Sequence, residues 1–234
     1  MRSAILSDIH GNSAALKAVL AEVREEGIDD LIIAGDFSGY YYRVKEVLEL
    51  LSPFRLLSVA GNHDALLCAM RAGNEAVRQK YAARYGSALT HALKELDEEE
   101  QRTLCALPET HEFIRAGKQI FLCHGSPWVN DEYVYPDAPQ EKFDAIASLG
   151  HDIVIMGHTH YPLIRRVGKC AIVNPGSVGQ PRDKGSSASW VIADFAKDTF
   201  EQRRTLFDAA EPIADATTFD PSLPYLVDVL LRKR

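Results

Sequence analysis

Residues 1–27 read MRSAILSDIHGNSAALKAVLAEVREEG, and the order of elements in this stretch sets the fold class. Ala4 to Ser7 is an apolar run of strand length. Asn12 or Ser13 then offers a side-chain oxygen to cap a helix; Leu16, Val19, Leu20 and Val23 share one helical face, and Gly27 closes it. Leu31 to Ala34 supplies the next strand, ending at Gly35 and Asp36. Strand, helix and strand in this order are the unit of an α/β layered fold, with Asp8, His10 and Asp36 in the turns that leave the strands.

The alternation continues downstream. Val44, Val47, Leu48 and Leu51 mark a second helix that stops before Pro53, because proline removes a donor and disfavours helix in its predecessor. Arg55 to Ala60 reads as a third strand, and residues from Ala65 to about Leu107 are rich in helix formers with breaks at Gly73 and Gly86. After Pro108 come strand-like runs at Phe113 to Arg115, Ile120 to Cys123, Ile153 to Met156, Leu163 to Val167, Ala171 to Val173, Ser189 to Asp194 and Glu201 to Thr205. A helix ending at Gly150 precedes the third of these. The second half therefore predicts a mixed or antiparallel sheet. No repeat, low-complexity tract or linker divides the chain, so residues 1–234 are expected to form a single domain with a helical insertion at about 65–107.

The chain has 234 residues, 46% hydrophobic and 25% charged, enough to bury a core without metal or disulfide staples. Any metal would then serve chemistry. With 33 acidic against 26 basic residues and a net charge of -7, no overall basic field exists to hold nucleic acid in bulk or an anionic membrane. Too few apolar residues precede Asp8 for a signal peptide or membrane span, and a cytoplasmic location is expected. Cys68, Cys105, Cys123 and Cys170 lie far apart with no CxxC pair, which predicts reduced, partly buried thiols.

Five segments stand where a strand gives way: Asp8-Ile9-His10, Gly35-Asp36, Gly61-Asn62-His63-Asp64, His124-Gly125 and Gly157-His158-Thr159-His160. Loops at the carboxyl ends of neighbouring strands converge on one crevice, and five of the eight histidines fall in these segments. Carboxylate, imidazole and amide oxygen suit borderline divalent ions (Mn, Fe, Co, Ni or Zn), and the absence of thiolate argues against structural zinc. His91, His111 and His151 lie outside the pattern and read as structural.

The ordered blocks DxH, GD, GNHD, H and GHxH resemble the signature of the calcineurin-like metallophosphoesterases, and Asn174-Pro175-Gly176-Ser177-Val178-Gly179-Gln180-Pro181-Arg182 looks like a loop of their small bacterial and archaeal members. The resemblance implies a four-layer αββα sandwich of two mixed sheets flanked by helices. It also implies two divalent ions: Asp8, His10 and His160 on the first, Asn62, His124 and His158 on the second, and Asp36 bridging, a role for which two carboxylate oxygens are expected. His63 would protonate the leaving alkoxide, with Asp64 orienting and charging its ring. The implied reaction is hydrolysis of a phosphodiester or nucleotide polyphosphate by a metal-bridging hydroxide. A phosphomonoesterase and a non-catalytic metal-binding interaction protein of the same fold are the alternatives, the latter opposed by the complete ligand set.

Two divalent ions, Asp8, Asp36 and a bridging hydroxide leave the site near +1, which a phosphodiester neutralises and a monoester dianion exceeds unless another cation helps. Arg43 and Arg182 are the candidate substrate-binding cations. Phe37, Ser38 and Ala60 stand where protein serine/threonine phosphatases of the superfamily carry arginines, so a small phosphate ester or nucleotide is expected as substrate. Tyr40, Tyr41, Tyr42, Trp128, Tyr133 and Tyr135, with Tyr81 and Tyr85 in the insertion, are candidates to stack on a nucleobase. A DNA repair nuclease, for which GNHD is also familiar, lacks support in length and charge.

Overall fold

The computed structural model describes residues 2–233. In β1 (Arg2–Leu6), Ala4 and Leu6 point to one side of the sheet and Ile5 to the other, the period-two alternation of a strand with both faces covered. β2 (Asp30–Ile33) repeats it, with Leu31 and Ile33 beside Ala4 and Leu6, and Ile32 beside Ile5. These strands pair parallel, as do β2 and β3 (Arg55–Ser58). The intervening helices α1 (Ser13–Glu25) and α2 (Val44–Leu51) bury the faces read from the sequence, and Asn12 caps α1 by accepting the Ala15 N–H at 3.1 Å.

Four helices follow β3: α3 (Asn62–Arg71), α4 (Glu75–Tyr85), α5 (Ala88–Glu95) and α6 (Glu98–Cys105). The second sheet contains β4 (Thr110–Arg115), β5 (Lys118–Cys123), β6 (Ile153–Ile155), β7 (Leu163–Val167) and β8 (Cys170–Asn174), in the order β4-β5-β6-β8-β7. It mixes parallel and antiparallel pairs, and α7 (Gln140–Ala147) covers its outer face with Phe143 and Ile146. Its inner face sets Ile120, Leu122, Ile153, Ile155, Ala171 and Val173 against Ile5 and Ile32 of the first sheet. The chain is thus an α/β stack of helices, sheet, sheet and helix.

Two features depart from the sequence expectation. β9 (Ser187–Asp194) and β10 (Thr199–Leu206) leave the second sheet and complete the first, in the order β10-β9-β1-β2-β3, with β9 antiparallel to β1. β9 is buried over all but its last residue, which requires a central position rather than an edge. Beyond it, α8 (Ala210–Phe219) and α9 (Tyr225–Leu231), which the sequence reading did not assign, add Ala216, Leu226, Val229 and Leu230 to the helical core. No helix among the described residues is long and apolar enough to cross a membrane.

The cysteines require a further correction. Cys123 and Cys170 are free and buried, but Cys68 in α3 and Cys105 in α6 form a disulfide across a sequence separation of 37, their Cα atoms 5.5 Å apart. The reading of four reduced thiols failed because the packing of α3 on α6 is a long-range contact that cysteine spacing does not reveal. Closing a loop of this length is worth about 3–4 kcal/mol in the chain-entropy account. The denatured, unreduced chain is expected to titrate for two thiols rather than four, and Cys68→Ser/Cys105→Ser to lower Tm; four thiols in the unreduced chain would remove the bridge.

Candidate metal centre

The site forms where β1, β2, β5 and β6 end, and its side chains turn inward because the backbone there is left-handed. Asp8, His10, Asp36, His158 and His160 have φ of 53°, 51°, 56°, 68° and 63°, a region that non-glycine residues rarely occupy and that Asp and His tolerate better than most. The two loops of the first sheet are stitched together: the N–H groups of Ile9 and His10 both donate to the Asp36 carbonyl at 2.9 Å. The Asn174–Gln180 loop ties them to the second sheet. Asn174 Nδ2 donates to the Gly157 carbonyl (2.6 Å) and Ser177 Oγ to the Asp8 carbonyl (2.8 Å).

Two clusters of donors result, Asp8 with His10 and His160, and Asp36 with His124 and His158; within each, the ligand atoms lie within 4.8 Å of one another. All six residues are buried. His10, His124 and His160 direct Nδ1 at the carbonyls of Ser38 (2.9 Å), Ala34 (2.6 Å) and Gln180 (2.7 Å). A carbonyl only accepts, so each Nδ1 carries a proton and a neutral ring presents the Nε2 lone pair to the cluster.

The carboxylates divide their oxygens in the same way. Asp8 Oδ2 accepts the His158 N–H (3.1 Å), and Asp36 Oδ1 accepts the His63 N–H (2.9 Å). That leaves Asp36 Oδ2 at 3.6 Å from His10 Nε2 and 3.3 Å from His124 Nε2. The expected bridging carboxylate therefore faces both clusters through one oxygen, because the other is taken by a backbone donor. Asn62 joins the second cluster, its Oδ1 at 3.1 Å from His124 Nε2.

Whether divalent ions suit these residues can be tested on polar atoms that nothing else satisfies. Asp8 Oδ1 and His158 Nε2 are buried without a hydrogen-bond partner, and the Nε2 atoms of His10 and His160 face each other at 3.1 Å. Neutral rings with protonated Nδ1 cannot share a hydrogen bond there, and a buried carboxylate oxygen left alone is costly. A cation answers both demands, and the oxygen and nitrogen donors fit a transition-metal ion. His124 carries the opposite signal: burial lowers its affinity for a proton, but Asp36 and Asp8 raise it further, to about 10, so this ring stands in a strongly cation-seeking position.

His63 is buried over this centre, its ring centroid 5.0 Å from His10 and 4.7 Å from Tyr40. The structure does not bring Asp64 to that ring. As the third residue of α3, Asp64 turns back to accept from the N–H groups of Gly61 (3.0 Å), Phe37 (3.2 Å) and Ser38 (3.0 Å) and from Ser38 Oγ (2.8 Å). Consecutive helical residues do not share a face, so the neighbour in sequence is not the neighbour in space. Burial and Asp36 push Asp64 up to about 6 against these donors. Burial also lowers His63, to about 4, with Asp36 opposing and the His160 and His124 rings assisting, in place of the upward shift expected from Asp64.

Tyr81, a candidate nucleobase platform in the sequence, is instead buried in the position expected of Asp64. Its Oη accepts the Tyr40 N–H (3.3 Å) and stands 3.5 Å from His63 Nδ1. Donation of the phenolic proton to Nδ1 leaves the ring proton on Nε2. Gly39, at φ +98°, completes the arrangement, since a Cβ there would run into His63 Nδ1.

The two candidate arginines separate. Arg182 reaches the centre, donating Nη2 to Tyr40 Oη (3.3 Å), with Nε buried and unpartnered. Arg43 does not: it is held by Asp215 (2.9 Å) and Glu211 (3.3 Å) of α8. Among the aromatics, Tyr41 and Tyr42 are core residues whose hydroxyls donate to the Leu226 carbonyl and to Asp220. Tyr133 and Tyr135 are stacked, largely exposed, and Tyr133 lies 4.0 Å from the His158 ring. Trp128 is exposed as well.

Two stacked mixed sheets whose strand ends deliver carboxylates and imidazoles to adjoining cation clusters define an α/β metallohydrolase type of site. Residues 1–198 match the calcineurin-like phosphoesterase superfamily domain, and the chain belongs to that superfamily. An uncharacterized protein of Methanocaldococcus jannaschii is 33% identical over 226 residues, spanning 88% of this chain and 87% of that protein. Among solved structures, a metallophosphoesterase from Sphaerobacter thermophilus superposes with a TM-score of 0.77 at 28% identity, covering 99% and 98% of the two chains. A hypothetical protein from Pyrococcus horikoshii OT3 has the same fold, with a TM-score of 0.83 at 24% identity and coverage of 98% and 97%.

Stripped and reloaded protein is expected to hold two divalent ions per chain by elemental analysis and to melt at a higher temperature than the apoprotein. His160→Ala should retain one. A saturated wild-type chain holding a single ion would overturn the assignment.

Proposed function

We propose that the chain hydrolyses phosphodiesters or nucleotide polyphosphates at these two clusters, with Asp8, His10 and His160 holding one ion, Asn62, His124 and His158 the other, and Asp36 shared. The observation that carries the reading is the pair of buried polar atoms without a hydrogen-bond partner, Asp8 Oδ1 and His158 Nε2, one in each cluster. When bound, two divalent ions supply Lewis acidity to a phosphoryl group and lower the pKa of water. Asp36, whose Oδ2 faces both clusters, would hold both ions.

His63 delivers the proton to the departing oxygen from Nε2, and Tyr81 holds the ring for that transfer through Nδ1. A phosphate anion bound beside the buried ring favours its protonated form, in which Nδ1–H donates to Tyr81 Oη while Nε2–H faces the departing oxygen. Asp64 anchors the start of α3 to the loop after β2, so Asn62 and His63 keep their aim. Arg182 has no carboxylate within salt-bridge distance among the described residues, so it adds positive charge to the site. That observation favours a second reading, in which a terminal phosphomonoester, carrying two negative charges, is also accepted.

Turnover of nitrophenyl and alkyl phosphate esters by the reloaded enzyme tests the reaction. His63→Ala should keep both ions and lose about 10²- to 10⁴-fold in kcat, the range for a general acid, with the deficit shrinking as the leaving group improves. Tyr81→Phe, which removes only the hydroxyl, should show the same leaving-group trend at about tenfold, with KM unchanged. An equal defect on both esters would exclude the proton-donor role for His63.

A further inference from the structure

Beside the second cluster a cavity of about 480 Å³ opens between α3, α4 and the loop after β5, and nothing described so far uses it. Asn62 stands at its inner end, and Tyr81 and Tyr85, whose rings lie 5.7 and 5.1 Å from His63, form part of its wall. It therefore opens on the side of the centre where a proton from His63 would meet a departing oxygen.

The walls differ in character. Leu66 and Val77 are half-buried and give an apolar floor, with the Tyr85 ring beside them. Lys80 and Arg84, one turn apart on α4, make no ion pair among the described residues; the Arg84 guanidinium rests 5.0 Å from the Tyr85 ring centroid. Across the cavity Asn130 Oδ1 is buried without a partner, and the carboxylates of Asp131 and Glu109 also line it, neither in an ion pair among the described residues. A simple alcohol would use the floor and leave Asn130 Oδ1 and the cations unanswered.

We propose that this cavity is the leaving-group pocket and takes a nucleoside phosphate whose base carries an amino group. The base lies on Leu66 and Tyr85 with its N–H donors toward Asn130 Oδ1, and its phosphate meets Lys80 and Arg84. The volume suits a ligand of that size. An acceptor-only oxygen selects an amino-bearing edge, and two cations one helical turn apart suit an anionic chain. The assignment rests on the phosphoesterase reading for the direction of departure, but binding itself does not require turnover.

The test is calorimetry on the metal-reloaded protein with adenosine 5′-monophosphate, ribose 5-phosphate and inorganic phosphate as probes, alongside kinetics on a dinucleoside polyphosphate and a small nitrophenyl diester. Adenosine monophosphate should bind at least about tenfold more tightly than ribose 5-phosphate, and Asn130→Ala should remove most of that difference. Lys80→Ala/Arg84→Ala, two exposed positions, should raise KM for the dinucleotide about tenfold and leave the nitrophenyl diester within twofold. Equal binding of the two sugar phosphates, or a double variant with unchanged dinucleotide kinetics, would overturn the pocket while the phosphoesterase reading stands. Inertness toward every phosphate ester, with adenosine monophosphate still preferred, would overturn that reading and keep the pocket.

Discussion

Asp8 and Asp36 are carboxylates sealed from water at the ends of adjacent parallel strands, and the surrounding structure is arranged around the cost of keeping them there. Each gives one oxygen to the backbone N–H of a residue in another ligand-bearing segment, His158 for Asp8 and His63 for Asp36. The remaining oxygens face imidazole lone pairs whose direction is set by Nδ1 donation to three backbone carbonyls. Charge, hydrogen bonding and tautomer therefore agree on one arrangement, and it is closed by positive charge in the middle.

Holding that arrangement needs backbone that resists relaxing. Five candidate ligands lie in the left-handed region, a conformation costing about 1–3 kcal/mol for a non-glycine residue. Such strain persists where the surroundings over-determine it. Here the apolar layer between the sheets fixes the strands, while the Asn174–Gln180 loop crosses from the second sheet to grip the Asp8 carbonyl on the first. Gly61 shows the tolerance of the site, because a Cβ there would run into the Asp36 carboxylate.

The sequence made the ligand clusters legible because their residues sit where apolar strand runs stop, and a strand end is a local signal. Helical periodicity likewise marks α1 and α2, and the expected breaks at Gly73 and Gly86, both at positive φ, separate the helices after β3. What escaped were long-range or backbone effects. Tyr81 meets His63 across 18 residues, Cys68 meets Cys105 across 37, and the carbonyls of Ala34, Ser38 and Gln180 carry no side-chain signature. Asp64 is expected beside the His63 ring and Arg43 beside a substrate phosphate, whereas helix geometry and the acids of α8 assign them other partners.

The division between what is rigid and what selects follows from these contacts. Ligands on strand ends are held by both sheets, and the helical layer reaches the site through α3, whose first turn carries Asn62 and His63, and through Tyr81 of α4. The disulfide joins that same helix to α6, and Tyr81 of α4 reaches over it to His63. Residues of α3 and α4 thus hold His63 in place and also wall the adjacent cavity. A displacement of these helices would move Tyr81 along with the cavity wall, and on the proposed mechanism it would couple selectivity to proton transfer rather than to metal binding.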